Sequence, residues 1–345
     1  MGDIKEHFMR EKNYNLELIR TVSFVLVIVI HVSNYFCRAF GKISIGEYGF
    51  SLILDTLARV SVPCFFMLSG ALLLGREEPA ENSWKRMFRI VLPLLFWSIV
   101  YYLWNLYYMG TEFELYEIFW VPTEAHLWYL YALIPIYLVL PFFQILIRNL
   151  NLKMEKILLM IGMITVLVNW GLSIFGGELY YDIPLFGDRV YAFYFFLGYY
   201  LKKYQNHRWV RNGKLLLIFI VSNVLNIGLT MFLGVITEDH MEHTLEYGFP
   251  LIVISSAAFF LWMLRRGDGK LQLKEQTRKR IDNWCACSFG IYLIHILFLD
   301  HYKKYAEAEA VSAYIAIPVL TAVILVISYL CVKVIRKAPG GKLVT

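Results

Sequence analysis

Charge is what this sequence has least of. Only 17% of its 345 residues are Asp, Glu, Lys or Arg and 59% are hydrophobic, whereas soluble domains run near ~25% charged and ~45–50% apolar. In water, a chain of this size has no single core able to hide that much apolar surface. A soluble enzyme, a disordered protein and a disulfide-rich secreted domain are therefore excluded. Cysteine is also scarce: Cys37, Cys64, Cys285, Cys287 and Cys331 lie mostly inside apolar runs. The Cys-Ala-Cys at 285–287 has neither zinc nor redox spacing, so these read as buried thiols with no metal site. There is no repeat of 20–50 residues, no glycine-rich phosphate loop and no cleavable signal peptide. No polar stretch is long enough for a second domain, and a net charge of +6 spread over such a chain implies no nucleic-acid partner.

What the sequence has in quantity is long apolar runs. Crossing about 30 Å of hydrocarbon takes roughly 20 helical residues. Ten stretches qualify, at about 16–37, 50–75, 87–109, 125–147, 157–176, 189–204, 214–236, 247–264, 284–300 and 312–335, the sixth and ninth short and aromatic. The 24 Tyr and 9 Trp suit belts at two membrane surfaces. With the N-terminus inside, 26 of the 33 Lys and Arg fall in cytoplasmic segments. Five (Arg38, Lys42, Arg189, Lys303 and Lys304) fall outside, and Arg20 and Arg59 lie within helices. This split predicts an all-α polytopic membrane protein, a bundle of about ten transmembrane helices with both termini cytoplasmic. The expected organisation is a cytoplasmic segment 1–15, a transmembrane domain 16–336 and a cytoplasmic tail 337–345. Two outer loops are acidic, with Glu112, Glu114, Glu117 and Glu124 in one and Glu238, Asp239, Glu242 and Glu246 in the other. Solvated faces explain them, and so would acceptor or cation contacts.

An ionisable group inside a transmembrane helix is costly and points to function. The first helix carries Glu17, Arg20 and His31. Eleven residues separate Arg20 from His31, which at 100° per residue puts them within roughly 20° of one line and about 16 Å apart along the axis. Glu17 falls about 40° off that line. One stripe thus runs from an acid–base pair near the cytoplasmic surface to a deep imidazole, although a snorkelling Arg20 and a packing His31 would account for the same residues. Arg86 and Arg89, three apart on one helix face, suit phosphate or a positive-inside anchor. Pro63, Ser69 and Gly70 could loosen a helix, or let a neighbour approach closely. His295 lies at a depth like that of His31, and His126 begins the fourth stretch beside Trp128; each suits either a structural role or the lining of a cavity.

These segments together resemble the membrane-bound acyltransferase family 3. ELIRTVSFVLVIVIH at 17–31 is similar to that family's start, FFMLSGALL at 65–73 to its FF-x-x-SG stretch, and KRMFRIVLP at 85–93 to its R-x-x-R-x-x-P element. AHLWYL at 125–130 and SFGIYLIH at 288–295 resemble its later H-x-W and Y-L-x-H segments. Many members carry an appended extracellular domain absent here, and small residues are commoner around the Arg than Ile19 and Thr21.

The resemblance implies O-acylation of a polysaccharide or related glycan at a bacterial plasma membrane. The donor would be cytoplasmic acyl-CoA, usually acetyl-CoA, and the acceptor a hydroxyl of an extracytoplasmic glycan or lipid-linked sugar. In the expected site His31 is the general base and shares the catalytic position with Glu17. Arg20, Arg86, Arg89 and Ser69 hold the donor, and His126, Trp128 and His295 face the acceptor. A covalent route through His31 or a Cys stays open at this level, as does a proton-coupled transporter or flippase without acyl chemistry. A carrier is expected to show inverted-repeat symmetry, which the helix spacing lacks. A sensor would need a cytoplasmic output domain, and the longest inner loop, about 265–283, is too short and charged for one.

Overall fold

The computed structural model describes residues 12–111, 113–177, 179, 190–207, 211–269 and 272–345. The residues expected to set orientation at Lys5, Arg10, Glu112, Arg208 and Lys270, and Arg189, with which the sixth stretch begins, lie outside them. Eleven α-helices run through the described residues, with no strand among them. They are α1 (Tyr14–Cys37), α2 (Ile45–Ala58), α3 (Ser61–Leu73), α4 (Ala80–Trp104), α5 (Trp128–Asn149) and α6 (Leu152–Ser173). The second half comprises α7 (Tyr191–Lys203), α8 (Asn212–Thr237), α9 (Pro250–Leu264), α10 (Glu275–Tyr305) and α11 (Ala313–Ile335). Among the described residues, nine segments are long and apolar enough to cross a membrane, with α2 and α3 counted together. The protein is a multi-pass membrane protein.

Local chemistry explains where several helices start and stop. Asn13 caps α1, its side chain accepting from Asn15 N at 3.0 Å, and Ser44 and Glu47 form a reciprocal capping box that starts α2. The second expected span is two helices, because Arg59 and Val60 interrupt it. Pro63 has no N–H to return to the Arg59 carbonyl, so it is tolerated only in the first turn of a new helix. The sixth span is the other departure. At 13 residues, α7 rises only about 20 Å, and its Phe193, Tyr194, Phe195, Phe196 and Tyr200 are buried. Surrounded by protein, it does not need the length of a lipid-facing helix.

Helix α1 is the hub, packed by α2, α3, α9, α10 and α11. The closest approach is elsewhere, between α3 and α7. A Cβ on Gly70 would stand 1.7 Å from the main-chain oxygen of Phe195, and one on Gly198 would stand 2.1 Å from that of Met67. Each backbone therefore sits in the space the other's glycine leaves, the small-residue packing expected in lipid. On α4, Ile90, Leu94, Trp97 and Tyr101 face inward while Phe88, Leu92, Leu95, Ile99 and Leu103 are exposed. That stripe faces hydrocarbon. Cys37, Cys64 and Cys287 are buried as expected, whereas Cys285 and Cys331 are only half-buried; all five are free.

The helix ends gather at two opposite faces. At one, Asn15 Nδ2 donates to the Leu264 oxygen at 2.8 Å, Lys12 pairs with Asp282 at 2.8 Å, and Glu155 meets Lys203 and Tyr204. At the other, Arg38 pairs with Glu242 at 2.8 Å, and Glu47 accepts from Ala313 N at 3.2 Å. The first face holds Arg76, Arg86, Arg148 and Arg265; the second holds the described acidic residues after α4 and α8. Residues 337–345 fold back on the bundle: the Trp97 indole donates to the Val344 oxygen at 2.8 Å, and Arg336 donates to that of Thr345 at 3.2 Å.

Candidate active site

A cavity of about 1300 Å³ runs between the two faces. Ordinary ligand pockets hold ~300–1,000 Å³, so this one has room for more than one reactant. Arg20, Arg76, Arg86 and Arg89 line its basic part; His31, Ser69, Tyr129 and Tyr137 line the middle. Towards the acidic face the wall includes His126, Trp128, Glu124, Glu246, Arg59 and Lys303.

Helix α1 carries three of the expected residues at the computed spacing. Arg20 Nη1 donates to Glu17 Oε2 at 2.7 Å, an i,i+3 pair, and only Arg20 of the two lines the cavity. Glu17 lies behind it, where its carboxylate balances the guanidinium charge. About one and a half turns beyond the midpoint of the helix, His31 reaches the cavity wall.

Two further imidazoles stand beside His31. Its ring centre is 5.1 Å from that of His295 and 6.3 Å from that of His126, and the latter two are 5.3 Å apart. His126 sits in a 3₁₀ turn, Ala125–Leu127, capped by Glu124, whose side chain accepts from Ala125 N at 3.2 Å. The turn is anchored to α10 by the Tyr292 hydroxyl, which donates to the His126 carbonyl. Tyr101, whose ring is 5.1 Å from that of His126, donates its hydroxyl to the Leu293 carbonyl at 2.8 Å. His295 is wholly buried on α10 and forms no part of the cavity wall. Of the residues expected at the acceptor, the structure brings His126 and Trp128 to the cavity and leaves His295 behind His31 and His126.

The arginines differ in what they offer. Arg86 is engaged as a fork: both terminal nitrogens donate to Glu78, Nη2 to Oε2 at 2.7 Å. Gln144 holds the same carboxylate at 3.2 Å and the Leu73 carbonyl at 2.9 Å. Arg89 is exposed and has no ion-pair partner among the described residues. Ser69 accepts from the Tyr137 hydroxyl at 3.4 Å. The Trp128 ring is packed by Tyr191 at 4.9 Å and Tyr247 at 5.8 Å, and Tyr191 stacks in turn on Phe66 at 5.0 Å.

One buried pair was not assigned from sequence. Asp55, wholly buried, receives Arg59 Nη2 at 2.8 Å and Nε at 3.3 Å, and Arg59 lines the cavity. Its signal was an acid and a base four apart within an apolar run, the spacing at which helical side chains meet. Among the described residues, no group of three or more His, Cys, Asp or Glu could hold a metal ion, the three imidazoles included.

A family model described as an acyltransferase domain matches residues 13–333, nearly the whole chain, while no curated protein and no solved structure matches. That span takes in α1 to α10, all but the last two residues of α11, and every residue that lines the cavity. The chain belongs to acyltransferase family 3 and is a multi-pass membrane acyltransferase.

Proposed function

We propose that the protein transfers an acetyl group from cytoplasmic acetyl-CoA to a hydroxyl of an extracytoplasmic glycan or lipid-linked sugar, at a bacterial plasma membrane. The observation that carries this reading is one continuous cavity with arginines at one part, an imidazole in the middle, and acidic and aromatic groups at the other. The Lys and Arg distribution supports putting the basic face in the cytoplasm. Phosphates of the donor would meet Arg20 and Arg89 there, since guanidinium forks suit phosphate oxygens. Arg86 would join them only by exchanging its contact with Glu78. The thin pantetheine arm then reaches along α1 over the roughly 16 Å that separates Arg20 from His31.

At His31 the chemistry is a direct exchange. The unprotonated imidazole nitrogen takes the acceptor hydroxyl proton as the oxygen attacks the thioester carbonyl. The carbon–sulfur bond breaks, the ester remains on the sugar, and the imidazolium returns its proton to the departing thiolate. Holding both reactants in one narrow cavity supplies orientation and keeps water from the thioester.

The test is thiol release in proteoliposomes supplied with acetyl-CoA and a panel of glycan acceptors. Acceptor-dependent release is expected, reduced about 100-fold or more in His31→Ala. The outcome that would sink the proposal is no such release across the panel, together with uptake of an intact solute driven by a pH gradient and dependent on His31. That result belongs to a carrier.

A further inference from the structure

His295 shares the depth of His31 but not its access to substrate. It is wholly buried and absent from the cavity wall, so an acceptor in the cavity does not touch it. Its Nδ1 lies 2.7 Å from the main-chain oxygen of Tyr292. A carbonyl oxygen only accepts, so Nδ1 carries the hydrogen and Nε2 keeps its lone pair. That buried Nε2 has no hydrogen-bond partner.

A buried acceptor without a donor is unfavourable. The hydroxyls of Tyr292 and Tyr101 are both spent on main-chain oxygens, those of His126 and Leu293. The neighbouring imidazoles have ring N–H groups to offer. Of these His31 is the nearer, at 5.1 Å between ring centres with the planes tilted by 50°. His126 is slightly farther, at 5.3 Å, and is itself part of the cavity wall.

We infer that His295 is a positioning residue for acyl transfer: from a ring separation of 5.1 Å, a turn of the two rings lets its Nε2 accept the N–H of His31, which fixes which His31 nitrogen presents a lone pair to the acceptor hydroxyl. The inference rests on the reading of His31 as the general base. The tautomer of a catalytic histidine is set by the hydrogen bond its other nitrogen makes. Here the Tyr292 carbonyl sets His295, and His295 sets His31. When His31 takes the hydroxyl proton, the same N–H becomes a charged donor and its bond to Nε2 strengthens. The proton stays on His31 and goes from there to the leaving thiolate, so His295 begins and ends the cycle unchanged.

Two substitutions separate this role from packing. In His295→Asn the amide falls near the position of Nδ1, which keeps a bond to Tyr292 and removes the acceptor aimed at His31. In His295→Gln an amide oxygen can stand near the position of Nε2. The expected result is a kcat lowered on the order of 10- to 100-fold in His295→Asn with KM for acetyl-CoA unchanged, and a clear recovery in His295→Gln. A packing residue would give the same order through lost stability, because Asn leaves the larger cavity. The thermal midpoint would then fall in step with activity, whereas the positioning role lowers kcat in protein that unfolds at an unchanged midpoint. Wild-type kcat in His295→Asn, with His31→Ala inactive, would overturn the inference and leave the general base in place; wild-type activity in His31→Ala would remove the base itself. A measurement on the unsubstituted protein covers variants that do not fold. ¹⁵N-histidine NMR should show an N–H···N coupling between His31 and His295, and its absence would also overturn the inference.

Discussion

Replacing Gly70 by Ala tests how α3 is held against α7. The added carbon would stand 1.7 Å from the Phe195 oxygen, and contacts below roughly 3 Å are not tolerated, so the backbones must part by about 1.3 Å. The obstacle is main chain, which has no rotamer through which to escape. A gap of 0.5–1 Å already forfeits about a quarter to a half of the dispersion energy of the atoms facing it. Overpacking typically costs about 1–3 kcal/mol, and the rigidity of this contact puts Gly70→Ala at about 3 kcal/mol or more. Gly228, on α8, supplies the opposite case, because a Cβ there meets nothing within 4 Å. Gly228→Ala should gain up to about 1 kcal/mol from helix propensity alone. Thermal unfolding in detergent, followed by fluorescence-detected size exclusion, should place the Gly70→Ala midpoint roughly 5 °C or more below wild type. Gly228→Ala should be at or above it. Activity should fall with Gly70→Ala as well, because Ser69 on the same turn lines the cavity. Equal midpoints for the two variants would refute the packing argument.

The remaining predictions concern orientation and the basic end of the cavity. Reporters fused after residues 118 and 242 should be accessible from outside and one fused after 274 should be cytoplasmic; opposite labelling at any site would break the proposed topology. Arg89→Ala should weaken acetyl-CoA binding, with Arg89→Lys restoring it only in part because a fork is lost, and calorimetry showing equal affinities would move the donor site elsewhere. Hydrogen bonds from Arg86, with help from Gln144, outweigh burial and hold the Glu78 carboxyl below its ordinary 4.5. Its stabilising contribution is therefore complete above about pH 4.5 and lost as pH falls through the lower folded value. Glu78→Gln should abolish that acid-side loss in unfolding curves, and an unchanged pH dependence would refute the assignment.

The legibility of this chain in its sequence varies with what kind of information each feature needs. The stripe of Glu17, Arg20 and His31 depends only on helix periodicity, so its alignment was readable in advance. The break at Arg59 and the short α7 were not, because hydropathy averages over about 20 residues while Pro63 and burial within protein act locally. Arg86 was readable as a base at the right face. Its partner Glu78 lies eight residues earlier in the turn before α4, beyond any helical spacing rule. For His295 the depth followed from counting, but whether it faced the cavity or His31 depended on the rotation of α10 against α1, which only the packing of the whole bundle sets.

The central place of α1 has a consequence for how the protein is made. Among the described helices α1 leaves the ribosome first, while α10, which carries His295, and α11 emerge last. Through most of synthesis α1 must wait in or beside the translocon without its eventual neighbours. Glu17 and Arg20 can wait, since three residues apart they neutralise each other. His31 cannot, because the imidazole of His295 does not yet exist. A nascent chain stopped before residue 275 would leave the His31 imidazole without that neighbour inside hydrocarbon. Such a fragment is therefore a natural target for membrane quality control, and the arrival of α10 is the event that turns a row of inserted helices into an enzyme.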